Sequence, residues 1–99
     1  MREIELEIFE SGCERHKVGQ KFKYPDQTGQ MCTWLIESAT PMIKVLRHDG
    51  QLGWSYDGTP YEKVVNKDGV TTEFVRCPDP TTAGVVLKIT ATNIIPVKE

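Results

Sequence analysis

The sequence predicts an α+β fold: an antiparallel sheet of about four to five strands, with one kinked helix or two short helices packed on one face. Three observations lead there. Residues 3–9 alternate hydrophobe and acid with a period of two. Met31, Leu35 and Ala39, with Cys32 and Ile36, recur at helical spacing. Further strand-forming runs follow near the C-terminus, at 61–75 and 85–92. Strands, then helix, then strands, with no βαβ repetition, place helices on one face of an antiparallel sheet. The chain has 99 residues, which is room for a single domain, 1–99, and no second core.

The first strand puts Ile4, Leu6 and Ile8 on one face and Glu3, Glu5 and Glu7 on the other, and Ser11-Gly12 ends it. A turn holding Cys13, Glu14, Arg15, His16 and Lys17 leads past Gly19 to a second strand with Phe22 and Tyr24 on one side, closed by Pro25-Asp26. Asp26 or Thr28 is the expected cap of the helix. Pro41 falls inside the helical pattern, where it cannot donate a backbone hydrogen bond. Thr40-Pro41 also reads as a new cap followed by proline at a first helical position, so a break or kink is expected near 39–41. Met42, Ile43, Val45 and Leu46 continue the apolar stripe until Asp49-Gly50 stops it.

Residues 51–61, rich in glycine and aromatics, read as a loop. Tyr61–Val65 and Val70–Val75 flank Asn66-Lys67-Asp68-Gly69, the pattern of a β-hairpin. Cys77-Pro78-Asp79-Pro80 is a stiff break, and Val85–Thr92 forms the last strand before an apolar tail, Ile94-Ile95-Pro96-Val97.

Composition narrows the function classes. Fourteen acidic against twelve basic residues give a net charge of −2, with the basic residues scattered singly and Glu3, Glu5, Glu7 and Glu10 on the first strand. Nucleic-acid binding needs a basic path along the phosphates, so none is expected. No apolar run approaches the roughly 20 residues of a membrane span, and the N-terminal alternation is unlike a signal peptide. A cytoplasmic location is the expectation. Three cysteines fit poorly with a disulfide framework, which leaves reduced thiols. A domain this small often leans on a metal or a second copy of itself, so a homo-oligomer is a reasonable expectation.

Cysteine and histidine carry the candidate chemistry. Cys13 and His16 share a turn, Cys32 opens the helix and Cys77 begins the proline-locked turn. Cys13, His16, Cys32 and Cys77 would complete a tetrahedral shell for zinc or iron, although structural sites usually draw ligands from two close pairs and only one is present. Burial as small core residues is the plainer alternative for Cys32 and Cys77. A third is a reactive thiol: Cys32 near a helix N-terminus feels the dipole that stabilises thiolate, with His16 as base or acid. Asp79, between two prolines, is a candidate carboxylate base or an ordinary turn residue. Trp34 and Trp54, with Tyr56 and Tyr61, are candidates for a pocket wall or for large core residues. His48 in the last helical turn reads as a cation at a helix C-terminus.

Gly12-x-x-x-His16-Lys17-Val18-Gly19-x-x-Phe22, Cys32-Thr33-Trp34, Pro41, Gly53-Trp54 and Cys77-Pro78-Asp79-Pro80, taken together, give the chain a recognisable pattern. It resembles a family of small uncharacterised bacterial and archaeal proteins of about ninety residues, over nearly its whole length. The resemblance implies that Cys13, His16, Cys32, Cys77 and Asp79 form a family site, without supplying a reaction. This chain departs from the family with Gln20 where aspartate is usual, Thr33 where proline is frequent, and a longer stretch from Asp57 to Val70.

The leading expectation is a small enzyme or small-molecule-binding protein, with catalytic candidates Cys32, Cys77, His16, Asp79 and Lys17 and ligand contacts from Trp34, Trp54 and Cys13. A thiolate or Asp79 would move a proton or attack an electrophile, while His16 or Lys17 steadies the developing negative charge. The alternatives are a metal-binding module on Cys13, His16, Cys32 and Cys77, and a non-catalytic accessory subunit that binds a partner through a sheet edge and the tail at Ile94, Ile95 and Val97.

Overall fold

The computed structural model describes residues 2–50, 53, 55–65, 67–78, 80 and 84–94. Strands β1 (Arg2–Ser11), β2 (Lys21–Lys23), β3 (Val70–Arg76) and β4 (Val85–Asn93) form one sheet in the order β2-β1-β4-β3, antiparallel throughout. One helix, α1 (Thr33–Arg47), packs on a single face, preceded by a 3-10 turn at Thr28–Gln30. The class is α+β, as the alternation and helical spacing predict. No helix among the described residues is long and apolar enough to cross a membrane.

The period-two pattern of β1 becomes the core directly. Ile4, Leu6 and Ile8 stand opposite Ala91, Ile89 and Leu87 of β4, and Leu6 also faces Phe22 of β2. All seven are buried, while Glu3 and Glu5 on the other face are exposed. Leu35, Ala39, Ile43 and Leu46 of α1 close over this layer. Burying an aliphatic side chain of this kind contributes about 1.5–3 kcal/mol, so the sheet–helix layer is the main source of stability. Between Ile8 and Glu10 the pairing of β1 with β4 shifts register, leaving Phe9 as an extra residue in a β-bulge. The Phe9 ring meets Phe74 and Tyr61 edge-on, at centroid distances of 4.9 and 6.0 Å, on the side of the sheet away from α1. There the Tyr61 hydroxyl donates to Glu10 at 2.5 Å.

Three local expectations need correction. First, neither Asp26 nor Thr28 caps α1. The Thr28 hydroxyl bonds to the Pro25 carbonyl at 3.0 Å, Met31 runs extended to bury its side chain, and Cys32 is the N-cap. Second, Thr40-Pro41 does not start a new helix. Thr40 Oγ1 donates back to the Ile36 carbonyl at 2.6 Å, and α1 continues to Arg47 with Pro41 exposed. Third, the hairpin forms only at its tip. Asp68 and Gly69 both take positive φ, and Lys67 and Val70 exchange two backbone bonds of 3.0 Å. Tyr61–Val65 is not a strand, because Thr72 N–H bonds to the Val64 carbonyl, one residue out of step with a regular ladder. Val64 N–H therefore meets the Thr72 hydroxyl instead of a carbonyl. β3 takes β4 as its partner over its full length.

The predicted stop at Asp49-Gly50 is borne out. Asp49 adopts φ 68°, Gly50 N–H bonds to the Val45 carbonyl and Asp49 N–H to that of Leu46, a Schellman ending. A Cβ at Gly50 would lie 2.9 Å from Val45, so the close approach excludes a side chain. The buried Arg2 guanidinium completes this end, donating to the Leu46 and Gly50 carbonyls at 3.1 and 2.8 Å and to Asn93 Oδ1 at 3.0 Å. A second buried charge lies at the β3 edge, where Lys63 Nζ and Glu73 Oε2 are 2.8 Å apart with side chains only 3% and 5% exposed.

Candidate functional site

The turn after β1 is built around two side chains. Ser11 Oγ lies 2.9 Å from the Cys13 carbonyl and 2.6 Å from the His16 carbonyl, and accepts from Cys13 N–H at 3.3 Å. Its one hydroxyl proton serves both carbonyls and folds 11–16 into a compact loop. That loop delivers His16 into the interior, 4% exposed and edge-on to Phe22.

Both ring nitrogens of His16 are engaged. Cys32 N–H, which can only donate, points at Nε2 from 3.0 Å. Nε2 is therefore the acceptor, and Nδ1 carries the proton that goes to Gln20 Oε1 at 3.0 Å. The same amide oxygen accepts from Lys17 N–H at 3.1 Å, which fixes its orientation. His16 thus clasps the turn after β1 to the N-cap residue of α1 and satisfies a backbone donor at the helix entrance.

Cys32 stands at that entrance. As N-cap it leaves its carbonyl to accept from Ile36 N–H, while no full side-chain cap bond closes on the sulfur. Partial burial pushes the thiol up. The Leu35 and Trp34 amides facing the sulfur, with the Arg15 guanidinium, outweigh that effect and hold Cys32 below the ordinary thiol range. Arg15 Nη1 sits 3.9 Å from Sγ. Cys13, Arg15, Cys32, Thr33 and Trp34 line an open depression of about 360 Å³. Trp34, 54% exposed, also borders a second depression of about 410 Å³ with Glu37, Ser38, Pro78 and Pro80.

The predicted site residues divide accordingly. Cys13 and Cys32 meet in one cleft with Trp34, and His16 lies beneath it. Cys77 is buried in the core cluster at the end of β3 and does not line that cleft. Lys17 is exposed and contributes its backbone N–H to the Gln20 contact. Trp54 and Asp79 lie outside the described residues, as do Ile95 and Val97 of the tail. The four-ligand set Cys13, His16, Cys32 and Cys77 does not assemble. No three His, Cys, Asp or Glu side chains gather in a metal-binding arrangement among the described residues. The physical reason is that His16 spends both nitrogens on the protein and Cys77 sits in the apolar core.

Sequence reasoning missed the parts played by Ser11, Arg15 and Gln20. Gln20 follows His16 at a four-residue spacing, and Arg15 shares the turn with Cys13, but neither spacing shows what the side chain reaches. No family model matches the chain, and comparison with curated proteins and with solved structures finds no significant match.

Proposed function

We propose that the chain is a small thiol-dependent enzyme or small-molecule-binding protein whose nucleophile is Cys32. The observation that supports this reading is the placement of Cys32 at the entrance of α1, beside Arg15 and open to the Cys13–Trp34 cleft. A thiolate there attacks an electrophilic atom of a bound ligand. The Arg15 guanidinium steadies negative charge on the sulfur or on the ligand, and exposed Trp34 offers an apolar platform. His16 serves as a positioning residue: it holds the Cys32 backbone and so the direction of the first helical amides. The resemblance noted from sequence is consistent with this. Gln20 replaces the aspartate usual there, yet its amide oxygen still orients the His16 ring. In this reading Cys77 is a core residue and Lys17 a solvated one.

The test is alkylation of the native chain with iodoacetamide across pH, each cysteine followed by peptide mass. Because the folded protein favours the thiolate of Cys32, its rate profile is expected to rise at lower pH than that of an ordinary thiol. Arg15→Gln is expected to move the profile back toward higher pH. Equal, slow labelling of all three cysteines, with a profile like that of a free thiol, would overturn the proposal.

A further inference from the structure

We infer that Cys13 and Cys32 form a dithiol–disulfide couple that reacts with small, carboxylate-bearing disulfides. This rests on Cys32 being the nucleophile and adds a second thiol and a substrate class.

Position carries the argument. Both side chains are half-buried and line the same depression, whereas Cys77 lies in the core. The segments carrying them are tied through two residues, Ser11 and His16. Ser11 Oγ holds the Cys13 and His16 carbonyls together, and His16 Nε2 holds the Cys32 amide. Cys13 therefore keeps its place against the helix entrance although 19 positions separate the two cysteines. The cleft, about 360 Å³ and open to solvent, falls in the range that admits a small organic molecule. Exposed Trp34 on one wall and the Arg15 guanidinium beside the sulfur suit a ligand with an apolar portion and a carboxylate.

The reaction balances without a metal or further co-reactant. Cys32 thiolate attacks one sulfur of the small disulfide, forming a mixed disulfide and expelling the first small thiolate. Cys13 gives its proton to that thiolate and attacks the Cys32 sulfur. The Cys13–Cys32 bond forms, the mixed disulfide breaks, and the second small thiolate leaves to be protonated by water. The protein dithiol is oxidised by two electrons while the small disulfide is reduced to two thiols.

The probe is oxidised glutathione added to the reduced chain, followed by intact and peptide mass under non-reducing conditions. The expected product has lost a pair of hydrogens and carries a Cys13–Cys32 cross-link, with Cys77 free and no lasting adduct. Cys13→Ser is expected to stop at a glutathione adduct on Cys32. If that variant fails to fold, the cross-link map of the unaltered chain decides alone. Arg15→Gln should slow the first step by about fivefold with this anionic disulfide, from the attraction of unit charges some 4 Å apart in water, and less with the cationic disulfide cystamine, where lost repulsion offsets the thiolate lost at Cys32. A lasting Cys32 adduct on the unaltered chain, or a cross-link to Cys77, overturns the couple and leaves Cys32 as nucleophile. No preferential reaction at Cys32 overturns both.

Discussion

Replacing His16 with alanine separates a clasp from a catalyst. The change removes two hydrogen bonds, one from Cys32 N–H to Nε2 and one from Nδ1–H to Gln20 Oε1. Each contributes about 1 kcal/mol net, and leaving a part-buried amide unpaired adds about 1–3 kcal/mol. The edge-on contact of the ring with Phe22, at 5.7 Å between centroids, goes as well. Allowing for overlap among these effects, the loss is about 3 kcal/mol, out of the roughly 5–15 kcal/mol that holds a domain together. For a chain of this length the midpoint of thermal unfolding should then fall by roughly 10–25 °C. His16→Gln, whose amide oxygen can accept near the place of Nε2, should recover part of the loss. Measured well below the lowered midpoint, Cys32 alkylation should slow by no more than about fivefold, the scale of a helix-terminus effect on the thiolate. An alanine variant with unchanged melting but a Cys32 rate reduced a hundredfold would refute the reasoning, because the ring would then be acting on the sulfur.

Two further predictions concern stability. Glu73→Gln removes the carboxylate 2.8 Å from the buried Lys63 ammonium and should cost about 3–5 kcal/mol in urea unfolding. Lys63→Met combined with Glu73→Gln should return most of it, since the amide oxygen of glutamine can keep the bond from Phe74 N–H. Arg2→Ala opens the end of α1 by removing donors to Leu46, Gly50 and Asn93, and is expected to cost about 2–3 kcal/mol. It should speed amide hydrogen exchange at His48, Asp49 and Gly50, just past the helix, more than within α1, and equal acceleration along the whole helix would count against the assignment.

Patterns that repeat along the chain proved readable from residues alone. The faces of β1 and β4, the stripe of Leu35, Ala39, Ile43 and Leu46, and the Asp49-Gly50 stop all follow from local periodicity or backbone preference. Pairing was harder. Val70–Arg76 has two edges: β4 forms a regular ladder on one, while on the other the segment through Val64 meets it one residue out of step. The helix start was misplaced because Thr28 spends its hydroxyl on Pro25, a choice invisible in composition. In the site, residue types pointed to Cys13, His16 and Cys32, and two of these line the cleft while the third lies under it. The task of the histidine depended on a backbone amide arriving from 16 positions away. Arg15 and Gln20 gain their roles only once those segments meet.

The extra residue in β1 has a bearing on the cleft. Strand parity alone would send Ser11 to the same side as Glu3 and Glu5, away from the helix. With Phe9 inserted, Ser11 pairs with Val85 and returns to the layer of Ile4, Leu6 and Ile8. Its hydroxyl is then on the side where α1 begins, ready to gather the Cys13 and His16 carbonyls. Phe9 acts as a spacer that inverts the exit of the chain, so the thiol cleft depends on an odd count in a strand that otherwise runs in twos. Shortening β1 by that single residue would leave every cysteine in the sequence and turn the loop that carries Cys13 toward the opposite side of the sheet.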